Sequence, residues 1–400
     1  MSNLPLSGIR VIDASAVLMG PYASQWLADM GAEVIKVESP EGDSTRSTGP
    51  THEAGMSAIF LGLNRNKKSV VIDLKQAAGR AALHSLIGSA DVFMHSMRPQ
   101  KLAAVELDPK QIREKFPALV YAGLHGFSQT GPYGDKPAYD DIIQGLSGSA
   151  ALMAQQSGVA RYFPTVVADK TSGLVAALAI VAAIIKKQSS GVGSYVEIPM
   201  FETMVAFNLV EHFYGEHFEP PLSTTGYPRV LAPWRRPYPT LDGHVCLMPY
   251  TDAHWQRLFK AVDASELAQD PRFSSMAART QHIEQLYELT GRFVARHTSA
   301  YWLSLCQEID IPAAPMNQLS DLKNDPHLAD TGFFQTRKDP SLGELRFPGV
   351  PVLFDGIRPE VRTPPRLGAD TLEVLLQCGL SAEEVQALMA SGAVGPKPTN

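Results

Sequence analysis

Within PTVVADKTSGLVAALAIVAAIIKK, residues 164–187, Asp169 and Lys170 stand at the mouth of a run that carries no charge from Gly173 to Ile185. If a helix starts near Pro164 or Thr165, Asp169 falls in its first turns, where unpaired amides and the helix dipole favour an ionised carboxylate. Such a group is available as a nucleophile or base at neutral pH. An acid at a helix start is also an ordinary stabilising device, and spacing alone does not separate the two roles.

Other groups invite the same double reading. NRNKKSVVIDLK places Arg65, Lys67, Lys68 and Lys75 around one strand, either to hold phosphates or as a solvated basic rim. In HSMRP, Arg98 follows the end of a strand-like run, where open parallel sheets gather ligands. The loop HGFSQTGPYGDKPAYDDIIQGLSG, opening at His125, leads through Tyr139, Asp140 and Asp141 to Gln144. Adjacent acids on a helix point in different directions, so an ordinary helix start is as good an account as an acid/base pair. His212 and His217, five apart, do not share a helix face, which argues against a metal site. Arg235 and Arg236 offer a grip on a carboxylate, or simply a charged surface.

The elements that must position these groups alternate. IRVIDA (9–14), AEVIKVE (32–38), KSVVIDL, DVFMHS and ALVYAGL read as strands; PYASQWLADM (21–30) and AAGRAALHSLIGS read as helices. This is the rhythm of a parallel α/β sheet covered by helices. The loop after the first strand, DASAVLMGP, carries no GxGxxG, and the chain has neither a GxxxxGK[ST] nor a GxSxG motif, which removes support for hydride transfer. After the Asp169 helix come a strand in GVGSYVEIPM and a helix in FETMVAFNLVEHFYGEHF. The Pro/Gly-rich stretch from Glu219 reads as entry to a second domain with three helical patterns, closed by the prolines of DIPAAPMN. The C-terminal part returns to strands around GELRFPGVPVLF and two helices, the second opened by a capping box at Ser381 and Glu384, and the tail GAVGPKPTN is expected to fray.

Composition sets the outer limits. A 400-residue chain with 44% apolar and 19% charged residues and a net charge of -6 has the balance of a soluble, two-domain protein and no excess of cations for nucleic acid. Cys246, Cys306 and Cys378 form no disulfide or zinc spacing. The N-terminal MSNLPLSGIRVIDASAV lacks the pattern of a secretory signal or transit peptide, so a cytoplasmic location is expected. The longest apolar run, Leu174–Ile185, has 12 residues, short of the roughly 20 of a membrane span, and reads as a buried core helix.

Taken in order, LSGIRVID, GPYASQWLADMGAEVIKVE with GD, LNRNKKSVVIDLK, DVFMHSMRP, GFSQTGP with PAYDDIIQGLSG, ADKTSG, DPRF, IPAAPMN and PPRLGADT span nearly the whole chain. This ordered set resembles the family III CoA-transferases, which include formyl-CoA, L-carnitine and dicarboxylate CoA-transferases and to which α-methylacyl-CoA racemases are related. The resemblance implies an α/β fold: a Rossmann-like large domain with an open parallel sheet (1–200 and 328–400), a linker (201–225), a smaller α+β domain (226–327) and an interlocked homodimer. It implies that Asp169 is the nucleophile, forming an aspartyl-CoA thioester by way of a mixed anhydride, with no metal and no tightly bound cofactor. Coenzyme A or acyl-CoA enters as substrate. Contacts to it are implied for Val17, Ile72, Asp73, Leu74, Lys75, Ser96, Met97, Arg98, Lys101, His125, Lys136, Tyr139 and Asp140.

The chain departs from the family pattern at Ser96 and Met97, at Ala104, where a basic residue is usual and Lys101 is a possible substitute, and at Leu18, where the formyl-CoA enzyme has a glutamine. LMPYTDAHW replaces a glycine-rich lid. These features argue against oxalate and formyl-CoA. The resulting expectation is transfer of CoA from an acyl-CoA, with succinyl-CoA a candidate donor, to a carboxylic acid, with a small dicarboxylate a candidate acceptor. The partners are small molecules and a second copy of the chain, with no nucleic acid and no membrane. An α-methylacyl-CoA racemase is the alternative, weakened because Tyr139 stands where its histidine would fall; a non-catalytic acyl-CoA-binding protein is the other.

Overall fold

The structure, a computed structural model, describes residues 4–396. Six strands, β1 (Arg10–Ala14), β2 (Glu33–Glu38), β3 (Lys67–Val71), β4 (Val92–His95), β5 (Val120–His125) and β6 (Tyr195–Pro199), form one sheet. Every pairing is parallel and the order is β3-β2-β1-β4-β5-β6, the doubly wound arrangement the alternating pattern calls for.

Side chains alternate across the sheet and so divide the core. Val11, Val34, Val92 and Val120 face Leu27, Ala176, Ile180 and Ile184. Their neighbours Ile12, Ile35, Phe93 and Tyr121 face Leu83, Leu86, Leu375 and Val385. Two helices from the far end of the chain, Thr371–Gln377 and Ala382–Ala390, therefore help cover the second face, and the capping box at Ser381 and Glu384 is formed.

The described part of the C-terminal tail is docked rather than frayed. Ala393 and Val394 are buried, Val394 bridges Ile72, and the Ala393 carbonyl accepts the Asp73 N–H. The expectation for the last residues, 397–400, lies outside the described residues.

Three of the four cations in the basic cluster after Asn64 are neither a phosphate grip nor a free solvated rim. Arg65 is buried on Asp29 at 2.7 Å. Lys67 is buried against Asp13, the Pro21 carbonyl and Asn64 Oδ1. Lys68 bridges Glu33 and Glu373. Only Lys75 remains exposed. The reason is strand alternation combined with a buried parallel sheet, in which a cation survives only if carboxylates come inside with it.

The helix carrying Asp169 runs from Val167 to Ser190, starting slightly later than its sequence pattern implies. It is buried on one face only: Leu178 is 71% and Ile185 61% exposed, while Ala176, Ile180 and Ile184 enter the core. Among the described residues it is the one helix long and apolar enough, by length and composition, to cross a membrane. Its buried face packs on the Met19–Asp29 helix at Gly173, where an added Cβ would lie 2.8 Å from the Met19 carbonyl oxygen.

The chain divides into two compact units, one of residues 1–147, 164–205 and 326–400, the other of 148–163 and 206–325. The first also holds a hairpin of β10 (Phe334–Asp339) and β11 (Gly343–Pro348). The second contains a small antiparallel sheet of β7 (Tyr238–Pro239), β8 (His244–Leu247) and β9 (Ala313–Pro315), so the prolines of DIPAAPMN enter an edge strand as well as ending a helix. Helices Asp252–Ala261, Ile283–Val294 and Ser299–Glu308 enclose its core around Trp255, Phe259, Leu286 and Trp302.

Gly173→Ala must push two helix backbones apart one turn beyond Asp169. Its expected cost is about 1–3 kcal/mol, measured by urea unfolding. An unchanged midpoint would show that the helices separate freely.

Candidate active site

The strand order reverses at β1, so the crevice between the carboxyl ends of β1 and β4 is where a doubly wound sheet accepts a ligand. Two loops close its floor. After β1, the Ala16 N–H donates to Ser96 Oγ at 3.1 Å and the Val17 N–H donates to the Asp43 carboxylate at 3.3 Å. Lys36 Nζ ties both sides, donating to the Ser15 carbonyl at 3.0 Å and to Asp43 at 2.8 Å. Held in this way, Val17 adopts φ +69°, a left-handed conformation that a β-branched residue enters only when its surroundings over-determine it.

Two clefts meet above this floor. The larger, about 590 Å³, runs beside Lys36, Asp43, Ile72, Asp73, Leu74, Lys75 and Arg80. The smaller, about 260 Å³, is bounded by Val17, Arg98, His125, Lys136, Tyr139 and Asp169. Ala16, Ser96 and Met97 line both, making them adjoining parts of one groove.

Asp169 lies in the first turn of its helix, which has no capping side chain of its own. Its N–H is instead taken by Asp140 Oδ1 at 3.0 Å, while Asp140 Oδ2 accepts Gln144 Nε2 at 2.6 Å. Asp140 is buried and Asp141 exposed, as adjacent positions on a helix must diverge. The expectation that helix geometry favours ionised Asp169 is overturned: burial, then the charge of Asp140, pushes its carboxyl up to about 7. The helix amide that would have stabilised it is already engaged by another acid. Lys170, next in sequence, turns to Thr165 Oγ1.

His125 is buried at the end of β5, and burial lowers its pKa while Glu197 opposes the shift. Its ring has room because Gly123, two residues earlier on the same face, has no Cβ; one would lie 2.6 Å from His125 Nε2. Behind it His95 is wholly buried, its pKa lowered to about 3 by burial and by His125.

Of the residues expected from the sequence, Ile72, Asp73, Leu74 and Lys75 line the large cleft. Val17, Arg98, His125, Lys136, Tyr139 and Asp169 line the small one, and Ser96 and Met97 line both. Lys136 Nζ lies over the Tyr133 ring at 3.9 Å, and Tyr139 is 69% exposed. Lys101, exposed on the short Pro99–Leu102 helix, and Asp140, buried beneath Asp169, line neither. Sequence reading missed Arg80, which reaches the large cleft while bound to Glu106 at 2.8 Å and to the Leu74 and Lys75 carbonyls. Its place five residues after Lys75, on the helix that follows β3, was the available signal. Lys36 was missed too, although a lysine inside the apolar EVIKVE strand marks a buried charge that needs a partner.

A raised carboxyl pKa has a definite thermodynamic sign. The folded state holds a proton on Asp169 that the unfolded chain releases near pH 4, so stability falls as pH rises toward 7 and the loss is complete above it. Asp169→Asn is expected to unfold at higher denaturant than wild type, with a larger difference at about pH 8 than at about pH 5. Equal differences at both values would show a carboxyl with an ordinary pKa.

The motif order resolves into an assignment on comparison with known proteins. The model of CoA-transferase family III matches residues 6–371. The chain is 32% identical to succinate–glutarate CoA-transferase of Agrobacterium fabrum, covering 93% of this chain and 95% of that protein. It is 27% identical to human succinyl-CoA:glutarate CoA-transferase, covering 100% and 92%. The fold matches a CAIB/BAIF family protein from Brucella suis with a TM-score of 0.78 at 27% identity, over 94% of this chain and all of that one. With a family model and relatives matching across almost its whole length, the chain belongs to CoA-transferase family III.

Proposed function

We propose that the protein transfers coenzyme A from an acyl-CoA to a carboxylic acid, with Asp169 as the nucleophile. The observation that carries this reading is the joined pair of clefts, a continuous groove that carries Lys75 and Arg80 in its larger part and ends in the smaller part at the half-buried carboxylate of Asp169. In it, the nucleotide end of coenzyme A occupies the large cleft, with Ile72, Asp73, Leu74, Lys75 and Arg80, and the thioester reaches the small one past Ser96 and Met97. Arg98, Lys136, Tyr139, Val17 and His125 surround the acyl end; Lys101 is at most a contact for the outer phosphates.

The chemistry balances without another reactant. An Asp169 carboxylate oxygen attacks the thioester carbon, the C–S bond breaks and its electron pair leaves on the CoA thiolate, giving a mixed anhydride. The thiolate then attacks the Asp169 side-chain carbonyl, expelling the donor carboxylate and leaving an aspartyl-CoA thioester. The acceptor carboxylate repeats both steps in reverse. Charge on the tetrahedral oxygens is stabilised by groups of the protein.

Relatives named for succinate and glutarate support succinyl-CoA as donor and a small dicarboxylate as acceptor. Arg235 and Arg236 share a groove of the second unit with Cys246, Met248 and Pro312, and are candidate partners of the acceptor's second carboxylate on the condition, tested below, that this segment reaches the site. An isomerase reading has less support, because the position of its imidazole is an exposed tyrosine. A homodimer, interlocked as in the family, and a cytoplasmic location belong to the same proposal. Exposed apolar side chains along the long helix, such as Leu178, support the first, and three unpaired cysteines the second.

Asp169→Ala is expected to lower CoA exchange by about 10³-fold or more while still binding coenzyme A in calorimetry. Hydroxylamine or borohydride should trap the covalent intermediate of wild type on the peptide carrying Asp169. A label on any other residue overturns the mechanism, and wild type that binds acyl-CoA but never exchanges it would be a binding protein. Converting Arg235 and Arg236 together to Gln should raise the dicarboxylate KM by about tenfold or more. An unchanged KM would remove these arginines from the acceptor site.

A further inference from the structure

Asp140 lines neither cleft, yet it is buried at the start of the Asp140–Leu146 helix with both carboxylate oxygens committed, one to the Asp169 N–H and one to Gln144. A neutral asparagine or serine would cap that amide as well. Placing a second carboxylate there costs energy unless its charge has a use, because like charges in a desolvated site resist each other. We infer that Asp140 is a positioning residue whose fixed negative charge destabilises the resting carboxylate of Asp169 and drives it toward its covalent states. This rests on Asp169 being the nucleophile.

The charge flow of the exchange gives the physical reason. When Asp169 attacks the thioester, its negative charge leaves on sulfur; when the thiolate attacks the anhydride, the charge leaves on the released carboxylate. Asp169 is neutral in both the anhydride and the thioester, and carries charge only when free. Repulsion from Asp140 is therefore felt in the free enzyme and relieved as the C–O bond between Asp169 and the acyl carbon forms, the sense of an interaction that speeds that step.

The remaining charged groups near Asp169 do not cancel this arrangement. Lys170 on the same helix is turned to Thr165. His125, from the end of β5, is held toward its neutral form by burial. Arg98 at the start of its short helix, and Lys136 and Tyr139 on the loop before Asp140, line the cleft wall. The causes that move Asp169 are burial and then Asp140.

Asn and Ala at position 140 separate charge from geometry. Asparagine keeps a carbonyl oxygen for the Asp169 N–H and, with Gln144 reoriented, its second contact; alanine loses both. The measurement is single-turnover formation of the trapped Asp169 adduct from succinyl-CoA across about pH 5 to 9, with coenzyme A affinity as a control. For Asp140→Asn we expect the acid limb to move to lower pH and the high-pH plateau to fall by about threefold or more, with affinity retained. If Asn leaves limb and plateau as in wild type while Ala slows the reaction, Asp140 is only a hydrogen-bond acceptor and the inference fails; a plateau that rises with Asn also overturns it. A wild-type adduct with an unshifted Asn profile removes only this inference, whereas no adduct on wild-type Asp169 removes the nucleophile itself. Should Asp140→Asn fail to fold, carboxyl-carbon NMR of the wild type decides: the inference requires Asp140 to be ionised where Asp169 titrates, and fails if the proton resides on Asp140.

Discussion

Charge buried beneath the carboxyl edge of the sheet is the constraint on which the site depends. Lys36, Lys67 and Arg46 are almost completely removed from water and meet Asp43, Asp13 and Glu38. Burial would push the Asp13 and Asp43 carboxyls up, but Lys67 and Lys36 beside the first, and Lys36 with Thr45 beside the second, hold both below the usual range. Removing one member of such a pair strands its partner in a medium that cannot solvate it, at about 3–5 kcal/mol. The pairs therefore act as rigid struts, and what they brace is the loop between β1 and the first helix.

That bracing explains how an irregular loop can serve as the floor of a groove. Val17 is held in a left-handed conformation by Asp43, Ala16 is pinned to Ser96, and both clefts share the segment between them. On the other side, the close approach of two helices at Gly173 fixes the first turn from which Asp169 projects. The reactive carboxylate is thus set by packing between elements far apart in sequence. Its acidity is set in the same way, by burial and by an acid 29 residues away.

Much of the scaffold was legible because its signals are local. Strand positions fell within a few residues of the β-branched runs, since a doubly buried parallel strand is mostly apolar, its few charges paired inside. The capping box at Ser381 needed only the identity of residues three apart. Signals failed where a residue's environment comes from elsewhere. Lys67 and Arg65 look like phosphate ligands in sequence and are interior cations in the fold, because Asp13 and Asp29 arrive from other elements. The tail looks free until Val394 meets Ile72.

By itself the sequence determined the alternating α/β order, the apolar helix behind Asp169 and the ordered motifs that mark the family, all consequences of local periodicity or of residue identity at fixed spacing. Only the tertiary structure decided which of its many charged residues face the groove and which lie inside the sheet edge. It also decided that Asp169 is half-buried beside the buried Asp140 rather than displayed at an open helix start. The physical reason is that desolvation and Coulomb interaction depend on distance in space, and no spacing along the chain encodes that distance until the elements pack.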